Sequence, residues 1–366
     1  MTDAPPSRPA ARPWVRWLRL AGWLAGAGVL VYLVYDALRP EKREQLERLL
    51  DAGPGPIAAI VALSAGTVIV NALTLWVLLR PIAKLPPVYL SGVNWAATLL
   101  NYAPGKLGAI TRAAWHNRLD GIPFATVMAW MGAYFAVLAC GLLPTAIASS
   151  LLDRVDGLWI TISLAGPPAL ALLLITLSRL FEGDAGHDRM HAIARSVRLK
   201  PVTWFLRTSV YANLHDVFAL TSRPSAVWGA LLLRLADTAI QAARFAVASA
   251  VLGLDLSTGQ TILLGATYFL IQASSPVGSA GVREGGTIAV GAVIGIEADA
   301  LVIATLFVTA SELATLILGI APAMWLVRRG AGTGEHVGGA LARRSRPPTP
   351  ARLETEPEPA TDTIDR

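Results

Sequence analysis

The stretch Ser274-Ser275-Pro276-Val277-Gly278-Ser279-Ala280-Gly281-Val282-Arg283-Glu284-Gly285-Gly286 decides how this chain is read. It closes an apolar segment, about 259–275, that ends abruptly at the proline. Proline stops a helix, and closely spaced glycines allow backbone conformations that leave N–H groups exposed. A helix that restarts after such a loop turns its half-positive end toward it. An arginine placed there adds a planar fork that can hold two oxygens of a phosphate.

A second stretch, 172 residues earlier, has the same construction. It reads Asn101-Tyr102-Ala103-Pro104-Gly105-Lys106-Leu107-Gly108-Ala109-Ile110-Thr111-Arg112, after an apolar run at about 88–103. Each stretch is an apolar helix, a proline, two close glycines, and an arginine seven or eight residues past the proline. Interrupted segments at matching positions of two halves point to a substrate site near the bilayer midplane.

The composition surrounding these loops belongs to a membrane protein. Of 366 residues, 54% are hydrophobic and 15% charged, where an ordinary globular chain carries about 25% charge. That is too little charge to clothe a soluble surface. Apolar runs long enough to cross hydrocarbon lie at about 20–38, 56–79, 122–143, 158–178, 224–252 and 300–327. The first reads as a retained signal anchor, since no small-residue cleavage site follows it. The net charge of +6 would hint at nucleic acid in a soluble protein; here the basic residues sit in loops and ends, so no nucleic-acid partner is expected. Cys140 alone forms no internal disulfide and no cysteine zinc cluster.

These runs divide the chain into a basic N-terminus at 1–19, a transmembrane domain at 20–327 and a disordered tail at 328–366. The domain splits into halves of about 20–178 and 224–327, joined by 179–223. The linker 39–56 reads as a short amphipathic helix, and 204–220 as a helix lying along the membrane surface. Orientation follows from Lys and Arg. If 88–120 enters the membrane and returns, the segments 1–19, 80–87, 104–121, 179–223 and 328–366 share one side and hold 23 of the 31 basic residues. The positive-inside rule makes that side cytoplasmic and favours a re-entrant hairpin. The same parity has the second loop entered from the opposite face. The expected fold is an all-α polytopic membrane protein of two inverted pseudo-repeats, each with a broken or re-entrant helix pair.

The two motifs, Asn-x-x-Pro-Gly-x-x-Gly-x-x-x-Arg and Pro-x-Gly-x-x-Gly-x-Arg-Glu-Gly, resemble the lysylphosphatidylglycerol synthase transmembrane-domain family over most of residues 15–327. That resemblance implies an inner-membrane protein with a re-entrant repeat fold that moves lipids between leaflets. Carried over position by position, the motif residues are Asn101, Pro104, Gly105, Gly108 and Arg112, then Pro276, Gly278, Gly281, Arg283 and Glu284; Lys106 lies within the first. Two departures stand out. The acidic-Arg pair that often follows the first motif is missing from Trp130-Met131-Gly132-Ala133-Tyr134. Nothing after Arg328 is expected to fold into a soluble aminoacyl-transferase domain, so lipid aminoacylation is not expected.

Charges also fall inside the spans. Arg234, Asp237, Gln241 and Arg244 recur on one helix face, and a charge at mid-bilayer must face protein or water. Arg234 and Asp237 can pair locally. Glu312, on a face with Thr305 and Thr309, is the natural partner for Arg244, and Glu284 for Arg283. These groups would line a polar path for a lipid head group. Weaker signals are His187 and His191, at metal-ligand spacing beside Asp184 and Asp188 in a polar loop, and His116, read as interfacial. Trp14, Trp17, Trp76, Trp159, Trp228 and Trp325 sit near span ends as anchors.

The expected function is transport without catalysis: a flippase-like protein moving an anionic or zwitterionic phospholipid, or a polyprenyl-phosphate carrier, with no cofactor and no metal. Two other readings are an intramembrane transferase on lipid-linked substrates and a non-catalytic adaptor for envelope biogenesis. Expected partners beyond lipids are a second copy or an envelope-biogenesis enzyme. The topology is directly testable. A cysteine introduced at Glu47 should react with a membrane-impermeant maleimide in intact cells, and one at Arg195 only after permeabilisation; the reverse pattern would invert the orientation.

Overall fold

A computed structural model describes residues 13–103, 107–152, 155–196, 206, 208–275 and 279–330. Its 13 described helices, with no strand among the described residues, make an all-α polytopic membrane fold. Six are long and apolar enough to cross a bilayer: α1 (Pro13–Ala37), α3 (Pro54–Leu79), α6 (Phe124–Leu151), α7 (Gly157–Phe181), α10 (Pro224–Leu252) and α13 (Ala298–Gly330). Between them lie α2 (Arg43–Leu50), α4 (Pro87–Leu100), α5 (Leu107–Leu119), α8 (Gly183–Ser196), α9 (Ser209–Thr221), α11 (Thr258–Ser274) and α12 (Val282–Val293).

Local chemistry sets the helix ends. Proline opens α3, α4 and α10 at the first turn, where its missing N–H costs nothing. Asp156 caps α7 by accepting from Trp159 N at 2.9 Å. Ser257 and Gln260 exchange side-chain to backbone bonds at the start of α11, forming a capping box. Gly253, at φ +69°, closes α10 in the left-handed conformation.

The long helices wrap two buried clusters. One gathers Leu75, Leu78, Leu79, Trp130 and Leu231 from α3, α6 and α10. The other gathers Phe245, Leu264, Tyr268, Leu301 and Ile303 from α10, α11 and α13. Leu164, Leu172, Leu232, Val293 and Leu318 remain exposed, which in a membrane chain is the lipid-facing surface. At the end opposite α8 and α9, Lys42 is buried between Asp36 and Asp299 and ties α1 to α13. Burial alone would lower its pKa, but the two carboxylates hold the ammonium above its ordinary value.

Four helices are too short to span. α4, α5, α11 and α12 have 14, 13, 17 and 12 residues, or roughly 18–26 Å at 1.5 Å per residue, against about 30 Å of hydrocarbon. They pack as two hairpins, α4 on α5 and α11 on α12. In the first, Gly108 lies so close to α4 that a Cβ would collide with the Ala97 carbonyl oxygen. In the second, Gly281 at φ +76° is pressed onto the Gly26 carbonyl of α1. The hairpins meet at their broken ends, where Ser279 N and Oγ donate to Asn101 O at 3.2 and 3.1 Å. The last helix, α13, lies along α4, so each half is braced by the other.

Two expectations are refined. The linker 39–56 contains α2, whose Arg48 reaches the Leu252 carbonyl at the end of α10 at 3.1 Å. The stretch 204–220, where described, is α9; it packs on α6 and α7, with Val217 over Gly132 and Thr221 Oγ1 2.7 Å from Ser178 Oγ. The tail beyond Gly330 lies outside the described residues.

The glycine contacts separate two neighbours on α1. A Cβ at Gly26 would stand 2.7 Å from the Ala280 carbonyl, whereas one at Gly28 meets nothing within 4 Å. Gly26→Ala should therefore lower the melting temperature of the detergent-solubilised protein, by about 1–3 kcal/mol of overpacking. Gly281→Ala should do so further, through the added left-handed strain, while Gly28→Ala should leave it unchanged.

Candidate functional site

Where the hairpins meet, buried charge is gathered into one cluster. Arg283, fully buried at the start of α12, donates through Nη2 to Glu284 Oε1 at 2.8 Å and through Nη1 to Glu312 Oε1 at 3.0 Å. Its Nη2 also reaches Tyr102 Oη at 2.8 Å, and its guanidinium lies 4.0 Å from the Tyr268 ring centroid. Glu284 is placed by the helix start itself: Gly281 N donates to its Oε2 at 2.6 Å, and Thr309 Oγ1 donates to its Oε1 at 2.9 Å. Glu312 then bridges to Arg244, whose Nη2 lies 3.0 Å from Oε2, while Nη1 donates to Gln241 at 2.8 Å. Tyr102 Oη donates to Glu312 Oε1 at 3.0 Å, so the tip of the first loop is bonded into the charge cluster of the second half.

A second cluster sits about two to three turns from Arg244 on α10. Arg234 lies 3.4 Å from Asp237 and donates to Tyr134 Oη at 3.2 Å and Thr74 Oγ1 at 3.1 Å. Tyr134 Oη in turn donates to Asn71 Oδ1 at 2.9 Å. The expected local pairing of Arg234 with Asp237 and the cross-helix pairing of Arg244 with Glu312 are both present.

Arg112 differs from the others. It is 8% exposed, in the middle of α5, and bonds Asn94 Oδ1, with Met131 Sδ at 3.8 Å. Its Nε has no partner, and among the described residues no carboxylate forms an ion pair with it. Arg234, Arg244 and Arg283 each pair with a buried carboxylate (Asp237, Glu312 and Glu284), whereas Arg112 is buried without one beside it among the described residues. Arg112 lines a cleft of about 80 Å³ together with Asn71, Thr98, Asn101, Tyr134, Gln272 and Ser279. A smaller recess shares Asn71, Thr98, Phe269 and Gln272 with it and continues to Gln241 and Glu312. Polar side chains thus extend from Arg112 by way of Asn71, Thr98 and Gln272 to Gln241 and Glu312.

The sequence motifs are partly visible in this geometry. Asn101, Gly108 and Arg112 of the first, and Gly281, Arg283 and Glu284 of the second, converge where the hairpins touch. Pro104, Gly105, Lys106, Pro276 and Gly278 lie outside the described residues. The two motif arginines, alike in position, are unlike in state: Arg283 is enclosed and neutralised, Arg112 is not. Tyr102, Asn94, Tyr134, Gln272 and Tyr268 were not singled out by sequence, and Thr309 was placed only on the face of Glu312. Their only signal was polarity within or beside apolar runs.

His116 is corrected from interfacial to fully buried. Its Nδ1 lies 2.6 Å from Asp120 Oδ2, Tyr89 Oη donates to the same carboxylate, and the ring packs edge-on against Trp130. His187 and His191 are joined by His215 of α9, with ring centroids 4.5 and 5.6 Å from that of His187. Burial, then the neighbouring imidazoles, hold the His187 pKa below its usual value. Among the described residues no group of three or more such side chains is arranged to hold a metal.

Against known proteins, the family model described as the lysylphosphatidylglycerol synthase TM region matches residues 19–319, most of the chain, and the chain belongs to that family. No curated protein and no solved structure matches. Membership and the six apolar helices make it a multi-pass membrane protein.

The two classes of buried arginine predict opposite responses to mutation. Glu312→Gln would strand Arg244 and leave Arg283 with Glu284 alone, and should cost about 3–5 kcal/mol, read as a large loss of thermal stability in detergent. Arg112→Gln removes a buried cation that has no counter-charge, and should leave the melting temperature unchanged or raised.

Proposed function

We propose that this member of the lysylphosphatidylglycerol synthase TM-region family is a transporter that carries an anionic lipid head group across the bilayer while the acyl chains stay in hydrocarbon. The observation that carries this reading is Arg112: a buried guanidinium with no carboxylate partner among the described residues, lining a cleft with amide and hydroxyl groups at the meeting point of two broken helices. A fixed cation in a low-dielectric setting attracts a phosphate far more strongly than one in water, and the arginine fork holds two of its oxygens.

The remaining parts fall into supporting roles. Arg283, Glu284, Arg244 and Glu312 fix the geometry of the loops around the cleft. The contact of Ser279 with Asn101 and the bond of Tyr102 to Arg283 act as the seal between the hairpins. Movement of one hairpin against the other would open the cleft to one leaflet and then the other, as expected for inverted repeats. No chemical step and no cofactor belong to this reading. The topology is that of a cell-membrane protein with both termini cytoplasmic.

The test is translocation in proteoliposomes. Wild-type protein should expose inner-leaflet fluorescent phosphatidylglycerol to a membrane-impermeant reductant well above protein-free vesicles. Arg112→Gln should reduce that rate at least tenfold at unchanged thermal stability. Protein-free rates for the folded wild type, with and without an imposed proton gradient, would overturn the proposal.

A further inference from the structure

Among the described residues, the polar groups that line the cleft at Arg112, set beside apolar Ala109, Met131, Phe135, Phe269 and Ala273, are of one kind, and that restricts the head group the cleft can hold. Apart from the arginine, its polar lining is amide and hydroxyl: Asn71, Thr98, Asn101, Gln272 and Ser279, with Tyr134 beside them. Amides and hydroxyls offer donors and acceptors without charge, the complement of hydroxyl groups. Two of these atoms are buried and unpartnered on the same cleft, Arg112 Nε as a donor and Asn101 Oδ1 as an acceptor. The pair is therefore set for an anionic oxygen at one point and a neutral donor at another.

What the described lining lacks is a free negative charge. The only carboxylate among the described residues lining the cleft or its recess is Glu312. Both of its oxygens are already taken by arginine, Oε1 by Arg283 and Oε2 by Arg244, each at 3.0 Å. Glu284 is held by Arg283, and Asp237, whose Oδ2 lies 3.4 Å from Arg234 while its Oδ1 has no partner, is not among the residues lining the cleft or its recess. A primary amine brought into this space would meet the Arg112 cation and, among the described lining residues, no carboxylate free to receive it. In a low-dielectric interior that mismatch is not screened.

We infer that the lipid accepted here carries a phosphodiester and an uncharged, hydroxyl-bearing head group, and that amine-bearing lipids are rejected. The inference rests on the proposal that the cleft receives a lipid phosphate. A glycerophospholipid such as phosphatidylglycerol and a polyprenyl phosphate bearing a sugar share this chemistry. The cleft of about 80 Å³ holds the phosphate and a few hydroxyls or waters. The bulk of a larger head stays at its mouth.

The decisive experiment is competition binding by native mass spectrometry on the purified full chain. The probes are phosphatidylglycerol, a polyprenyl-phosphate hexose, phosphatidylethanolamine and lysine-esterified phosphatidylglycerol. The expected result is retention of one or both amine-free lipids at least tenfold above both amine-bearing ones, and the two amine-free arms identify which source is preferred. Asn71→Asp keeps an acceptor for Tyr134 Oη and places a carboxylate on the same cleft as Arg112, so it should erase the preference. Arg112→Gln, which removes the cation instead, should lower retention of the amine-free lipids at least tenfold. Equal or greater retention of the lysine-esterified lipid by wild type overturns the inference, as does failure to retain any lipid. Translocation of the same four lipids in vesicles separates the two levels. Selective binding without movement sinks the transport proposal and leaves the selectivity. Movement of all four at similar rates sinks the selectivity and leaves transport.

Discussion

Ionised side chains in a low-dielectric interior must each find a partner, and the centre of this protein is organised around that requirement. Glu312 is the pivot: one carboxylate on α13 neutralises Arg244 from α10 and Arg283 from α12, and it also receives Tyr102 from the first broken loop. Four segments distant in sequence are thereby held to one point. Because attraction between buried charges offsets their lost hydration only when the geometry is good, the cluster tolerates little displacement. The close-packed glycines on either side serve that precision by letting backbone approach backbone, Gly108 on α4 and Gly281 on α1.

Against this closed cluster, the state of Arg112 takes on meaning. The two loops present arginines in the same place relative to proline and glycine. One has become part of the frame; the other keeps its charge unspent on the cleft. Duplicated motifs in which one copy is structural and the other available would let a single framework hold still while its site stays responsive. His116 and Asp120 add a neighbouring buried pair at the far end of α5, with Tyr89 bridging to α4. The helix that carries Arg112 is thus anchored at its exit as well as at Gly108.

Much of the fold was legible in the sequence because hydrophobicity and length speak directly to a bilayer. The six apolar runs match six helices with ends displaced by up to about eight residues, the largest shift being at α6, whose polar-containing end to Leu151 reads as loop from the sequence alone. Pairings confined to a helix face or to adjacent residues were legible too, as Arg234 with Asp237 and Arg283 with Glu284. The partner of Arg244 could be named because Glu312 is the single carboxylate well inside another span. What could not be read was the burial of Arg283 as against the availability of Arg112. That difference depends on whether a tyrosine 181 residues away reaches across the bundle, and nothing local records it. His116 was misplaced for a related reason: next to polar Asn117 and Arg118 it resembles an interface residue, and only packing against Trp130 encloses it.

The position of Glu312 has a consequence for how the chain is made. It sits on the last helix, so Arg244 enters the membrane before its carboxylate has been synthesised, and Arg283 does so with only Glu284 beside it. Tyr102 and the first hairpin likewise wait for residues 279–312 before their bonds across the bundle exist. The molecule therefore cannot mature half by half. Its interior becomes electrically complete only once α13 has packed against α10 and α12, so the charge cluster closes after both halves are in place.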